Sequence, residues 1–150
     1  MIYNEETKDL FSVSEDYCFA QCISADFAMG KGIATEFNKR FQTKKKLCNM
    51  IRDDVSFWDT MDISRRGHCR KVDRVFCLVT KRNYYNKPTL LTVRNALLCM
   101  KDLAHKHHVS KIAMPRIACG LDRLQWTDVS KIIIEIFKDS DIEILVCIPK

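Results

Sequence analysis

Two periods of hydrophobic spacing run through this chain. Tyr17-Cys18-Phe19-Ala20-Gln21-Cys22-Ile23 is a nearly unbroken apolar run closed by Ser24, the pattern of a largely buried strand. Residues 72–80, through Val75-Phe76-Cys77-Leu78-Val79, predict a second strand with Lys81 just past its end. Lys111-Ile112-Ala113-Met114 and residues 141–148 read the same way, and residues 1–6 as a short edge strand. Between these runs the period changes. Ile33, Phe37 and Phe41 recur every four residues and predict a helix, which a second helical stretch over 45–52 follows. Leu90, Val93, Leu97, Met100 and Ala104 form one buried stripe behind Pro88-Thr89, which opens the longest helix. Val129, Ile132, Ile133, Ile136 and Phe137 mark the last helix, with Thr127-Asp128 as its expected start. Residues 53–71 carry the weakest pattern; a strand over 57–63 and a turn at Arg65-Arg66-Gly67 are expected there. Alternating strands and helices predict an α/β fold, one mixed or mostly parallel sheet between helices, in a single domain over 1–150.

Composition narrows the class without naming a function. With 47% hydrophobic and 29% charged residues the chain is a globular protein, not a disordered tail. Met1-Ile2-Tyr3-Asn4-Glu5-Glu6 is acidic and lacks a long apolar core, so no signal peptide is expected. No apolar run approaches a transmembrane span, and a soluble intracellular protein is expected. The eight cysteines are scattered with no C-x-x-C pair, which argues against zinc and for reduced thiols. A net charge of +6 favours anionic partners, although Lys44-Lys45-Lys46, Arg65-Arg66 and Arg70-Lys71 read equally as a solvated basic face.

The densest chemistry lies in residues 114–126. Pro115 ends a strand, Gly120 permits close approach of a ligand, and Arg116, Asp122 and Arg123 add charge before a helix start. Strand, glycine loop and helix N-terminus together make an anion cradle of outward backbone N–H groups. Gly30-Lys31-Gly32 lies in another loop after a strand, and two such loops on one rim can grip a diphosphate from both sides. Each feature has a plainer reading. Gly30 and Gly32 also serve ordinary turns, Lys81 can be a solvated lysine, and Asp122 can cap a helix. Thr35 stands where a Rossmann fingerprint needs its third glycine, and a Walker loop is absent. Gln125 stands where a tyrosine-phosphatase loop beginning at Cys119 needs arginine. His105, His107 and His108 have poor spacing for a shared metal.

Pro115-Arg116-Ile117-Ala118-Cys119-Gly120-Leu121-Asp122-Arg123-Leu124-Gln125-Trp126 closely resembles the signature loop of the terminal ADP-ribose protein glycohydrolases, also described as O-acetyl-ADP-ribose deacetylases, a branch of the macrodomain family. Asp9-Leu10-Phe11, Cys22-Ile23-Ser24, Met29-Gly30-Lys31-Gly32-Ile33-Ala34, Thr80-Lys81 and Lys87-Pro88-Thr89 match in the same order, so the resemblance spans almost the whole chain. It implies a macrodomain-like three-layer α/β/α sandwich with a mixed central sheet and a ligand cleft at the strand ends. Asp9 is then expected to accept from the adenine amine, with Leu10 beside it. Gly30, Gly32 and Ile33 are expected to line the diphosphate and distal ribose, and Ser24 to contact that ribose. Arg116, Ile117, Ala118, Cys119, Gly120 and Leu121 are expected to close the other side, largely through backbone N–H groups. Lys81 and Asp122 match the catalytic pair. The family usually has glycine where this chain has Lys8 and Ala118, and the Asn-rich loop of other hydrolytic macrodomains is replaced by Gln21-Cys22-Ile23-Ser24. A left-handed backbone at Ala118 is expected to be strained by roughly a kcal/mol.

The implied activity is removal of ADP-ribose from glutamate or aspartate side chains, extending to O-acyl-ADP-ribose. The resemblance implies Lys81 as nucleophile and Asp122 as acid and base, with no metal or organic cofactor expected. The implied partners are ADP-ribose, ADP-ribosylated proteins and, more distantly, poly-ADP-ribose, acting on a monomer in the nucleus and cytoplasm. Nucleic acid is not expected, since no aromatic-rich basic motif is present. The rival reading is a non-catalytic reader of terminal ADP-ribose, which has no need of both Lys81 and Asp122.

Overall fold

The computed structural model describes residues 1–52 and 67–150. Six strands appear in these residues: β1 (Ile2–Thr7), β2 (Cys18–Ser24), β3 (His68–Val72), β4 (Val75–Lys81), β5 (Lys111–Met114) and β6 (Glu143–Ile148). Four helices accompany them: α1 (Ile33–Phe41), α2 (Thr43–Arg52), α3 (Leu90–Lys106) and α4 (Trp126–Phe137). The strands form one sheet in the order β1-β6-β5-β2-β4-β3. Every neighbouring pair is parallel except β3 and β4. The sheet is therefore mixed, with its antiparallel member at one edge.

Period-2 alternation divides the strands between two cores. Ala20, Phe76, Leu78, Ile112, Met114, Ile144 and Val146 face α3 and α4, where they bury Val93, Leu97, Met100, Val129, Ile133 and Phe137. Their neighbours Phe19, Val75, Cys77, Val79, Ala113, Leu145 and Cys147 face the other way, onto Phe37 of α1 and Leu47 of α2. The result is the three-layer α/β/α sandwich. Phe11, Phe19, Phe37 and Phe41 stack with ring centroids 5.0–6.1 Å apart and fix α1 against β2.

Three boundaries differ from the hydrophobic pattern. Val72 belongs to β3, because Asp73 turns left-handed (φ 50°) and starts the hairpin into β4. Lys81 is the last residue of β4 rather than the first beyond it. Helix α4 begins at Trp126, with Gln125 as its cap and Asp128 inside the first turn. The strand expected over 57–63 lies outside the described residues, as do Arg65 and Arg66 of the expected turn. Gly67 is described and has an unforeseen role: a Cβ there would meet the Thr92 carbonyl oxygen of α3 at 2.0 Å, so the chain crosses that helix where only hydrogen fits.

Parallel pairing brings the carboxyl ends of β1, β2, β4, β5 and β6 to one rim. The segments that follow β1, β2, β4 and β5, at residues 8–12, 25–32, 82–88 and 115–125, all leave from that rim.

Candidate functional site

At the rim, the end of β4 and the loop after β5 meet in an ion pair. Lys81 Nζ lies 2.6 Å from Asp122 Oδ1, and the two side chains are only 14% and 15% exposed. A pair so enclosed is not a casual surface contact, since lysine and aspartate seldom leave water without a partner. Asp122 therefore does not cap α4, and the plainer reading of both residues falls away.

The loop after β2 is fixed by a residue the sequence reading passed over. Asp26 accepts from the Ser24 hydroxyl and the Ala28 N–H through Oδ1, and from the Tyr84 N–H through Oδ2. Burial alone would raise the Asp26 carboxyl, but these donors outweigh it and hold the group below its usual range. Backbone bonds from Ala25 to Lys81 O (2.9 Å) and from Asp26 to Arg82 O (3.1 Å) continue the β2–β4 pairing past the strands. Ser24 is buried, and its hydroxyl is committed to Asp26. The signal available in sequence was the Ser24-Ala25-Asp26 spacing after a strand, which favours such local bonds.

Beyond Asp26 the backbone is unusual. Phe27 (φ 56°) and Met29 (φ 40°) are left-handed and bury their side chains, and Gly32 (φ 63°, ψ −151°) caps α1 in a region essentially reserved for glycine. No side chain caps α1, and among its first N–H groups that of Thr35 donates to Gly32 O at 3.2 Å. Gly30 has ordinary room, with a Cβ there 3.8 Å from Ala28 O.

Across from Gly32 lies the loop after β5. A Cβ on Gly32 would meet Leu121 Cδ1 at 3.4 Å, so the two glycine-bearing loops face each other. Ile117 and Ala118 bury their side chains in the α3/α4 core, leaving backbone to the rim. Ala118 is left-handed (φ 62°), as is Arg123 (φ 62°), and the Leu124 N–H closes the loop on Ala118 O at 2.9 Å. Gly120 is not left-handed, and a Cβ there would touch nothing within 4 Å. The left-handed conformation is the one expected at Ala118. Arg116, Gly120 and Leu121 are exposed, and Cys119 is half-buried. Burial pushes the Cys119 thiol up, with Arg116 opposing and Asp122 adding to the rise. Cys22 is pushed up further, again mainly by burial. Both stay protonated at neutral pH.

Asp9 is exposed on the same rim, where its carboxylate caps the 3₁₀ turn Leu10–Ser12 by accepting from the Phe11 N–H at 3.0 Å. Leu10 is buried beneath it. Ile33, in the first turn of α1, is partly exposed. Lys8 donates its N–H to Ile148 O at 3.0 Å and thereby extends β1. Among the described residues no group of three or more His, Cys, Asp or Glu side chains is arranged to hold a metal ion, and no helix is long and apolar enough to cross a membrane.

No family model matches the chain. It is 38% identical over 138 residues to the ADP-ribose glycohydrolase OARD1 of Homo sapiens, a match that covers 92% of this chain and 86% of that protein. Among solved structures it resembles the macrodomain of Mycobacterium tuberculosis DarG, with a TM-score of 0.77, 18% identity, and 99% and 98% of the two chains covered. It also resembles Thermosipho africanus DarTG, solved in complex with ADP-ribose, with a TM-score of 0.65 and 18% identity over 93% of this chain and 39% of that one.

Proposed function

This chain belongs to the macrodomain family, and on that premise we propose that it binds ADP-ribose and hydrolyses it from modified glutamate and aspartate side chains. The observation that carries the reading is the enclosed Lys81–Asp122 pair, standing between two facing glycine loops on one rim. The N–H groups at the start of α1, at Ile33 and Ala34, and the backbone of residues 116–121 hold the diphosphate, where neutral donors suit a doubly anionic group. Gly120 supports this assignment: nothing inside the protein requires a glycine there, whereas a phosphate in van der Waals contact with the backbone does. Asp9 keeps one carboxylate oxygen on its own turn and offers the other to the adenine amine. The distal ribose then lies over Lys81, with Ser24 and Asp26 bracing the loop beneath it.

The substrate is an ester of the anomeric carbon. Lys81 passes its proton to Asp122 as the nitrogen attacks that carbon, the carbon–oxygen ester bond breaks, and the protein carboxylate leaves. The N-linked sugar opens to a Schiff base on Lys81. Water adds to its carbon, the carbon–nitrogen bond breaks, and Asp122 returns the proton to the amine. One water is consumed, and free ADP-ribose, a carboxylate and a proton are produced. The same steps deacylate an O-acyl-ADP-ribose once its acyl group occupies the anomeric oxygen. The preferred substrate class is thus an acyl-linked ADP-ribose, and the unit that acts is the single domain of residues 1–150.

Incubating the protein with a glutamate-ADP-ribosylated protein, and measuring free ADP-ribose together with loss of the modification, tests this reading. Release is the expected result. Binding of ADP-ribose without release would instead make the protein a reader.

A further inference from the structure

Glu5 lies outside the rim chemistry, on edge strand β1, yet it has two partners from distant parts of the chain, Trp126 and Arg116, besides its strand neighbour Tyr3. Its oxygens Oε1 and Oε2 both accept from the Trp126 indole Nε1 at 3.2 Å. Arg116 Nη2 lies 3.8 Å from Oε1, and the Tyr3 hydroxyl donates to Oε2 at 2.8 Å. Strand alternation places Glu5 on the face of Tyr3, and both Tyr3 and Trp126 pack against the α3/α4 core. Arg116 stands at the start of the loop that faces Gly32, and Trp126, the first residue of α4, just past its end. The middle of the loop is held separately, by Asp122 on Lys81.

We propose that Glu5 is a positioning residue, a clamp that joins both ends of the 116–126 loop to the edge of the sheet and thereby sets the width of the cleft. The inference rests on the reading of that loop as an ADP-ribose site. Of the loop's internal backbone bonds, Leu124 to Ala118 and Arg123 to Gly120, neither reaches Arg116 or Trp126, so without Glu5 both ends lose their polar tie to β1. The Tyr3 phenol is held well above its usual range, by burial first and then by the bond and charge of Glu5. Because Lys81–Asp122 still pins the middle of the loop, loss of the clamp acts on ligand binding more than on the chemical step.

Glu5→Ala and Glu5→Gln test the clamp in the full chain. Glu5→Ala is expected to weaken ADP-ribose binding and raise KM about tenfold, the value of one charge-assisted hydrogen bond, with kcat changed less than about threefold. Glu5→Gln keeps an acceptor for the indole and is expected to recover most of the affinity. A readout independent of ligand comes from Trp126, since the chain has only two tryptophans. In a Trp58→Phe background, Glu5→Ala is expected to shift the Trp126 emission of the free protein and Glu5→Gln to restore it. Wild-type affinity and unshifted emission in Glu5→Ala would overturn the clamp, as would a lower melting temperature with KM unchanged. If the wild-type protein fails to bind ADP-ribose, the functional reading fails while the emission arm still decides whether Glu5 holds the loop.

Discussion

Gly32→Ala probes the narrowest point between the two loops. At φ 63° and ψ −151° Gly32 occupies a region that costs an L-residue about 1–3 kcal/mol. The added methyl would sit 3.4 Å from Leu121 Cδ1, a tight contact, but Leu121 is 69% exposed and its side chain can turn away. Backbone strain therefore dominates over the steric contact. The chain can bear that strain and lose stability, or flip the Lys31–Gly32 peptide and misdirect the first N–H groups of α1. The first outcome lowers the melting temperature by about 3–9 °C for a chain of this size. The second costs one hydrogen bond to the diphosphate, about 1.5–3 kcal/mol, or roughly 10- to 150-fold in ADP-ribose affinity. Calorimetric unfolding and titration of the same variant separate the two. A variant with wild-type melting temperature and wild-type affinity would show that the loop does not hold this conformation, and the anion cradle built on it would fall.

Gly67→Ala forces a Cβ into the Thr92 carbonyl at φ +86°, so it is expected to lower stability by about 2–4 kcal/mol in denaturant unfolding, with little effect on ligand affinity in the folded fraction. Asp9→Ala is expected to weaken ADP-ribose binding by about 1–3 kcal/mol while also losing the cap of its 3₁₀ turn, whereas Asp9→Asn keeps the cap and shows in titration calorimetry the part due to charge. Asp26 makes a pH prediction: its folded carboxyl lies below its unfolded value, so its contribution to stability is full above about pH 3.8 and is lost as the pH falls through the folded value. Melting curves of wild type and Asp26→Asn should therefore differ at neutral pH and converge in acid; a constant gap would contradict the bonding assigned to Asp26.

The hydrophobic pattern carried the layers of this fold but not its rim. Runs such as Val75-Phe76-Cys77-Leu78-Val79 announce a strand buried on both faces, and the stripe from Leu90 to Ala104 announces a helix, because burial at a fixed period leaves its mark on local sequence. β3 escaped notice for the opposite reason. His68-Cys69-Arg70-Lys71-Val72 is a polar edge strand, and its hairpin turn depends on Asp73 adopting φ 50°. The meeting of Lys81 with Asp122 spans 41 positions and that of Glu5 with Trp126 spans 121. No window of sequence contains either pair. Lys81 and Asp122 were legible only through resemblance to a family, and Glu5, Asp26 and the Tyr84 N–H had no such guide. The strain at Ala118 follows from a glycine expected there, and the left-handed φ bears out its location.

The central claim is that Lys81 bonds to the sugar and Asp122 releases it. Intact-protein mass spectrometry after incubation with a glutamate-ADP-ribosylated substrate tests this most directly. Lys81→Ala is expected to bind ADP-ribose nearly as wild type does, turn nothing over and gain no mass. Asp122→Ala is expected to accumulate a species heavier by one ADP-ribose less one water, mapped by peptide sequencing to Lys81. Full turnover by Lys81→Ala, or slow turnover by Asp122→Ala with no adduct at any time, would contradict the covalent mechanism and return the chemistry to an activated water.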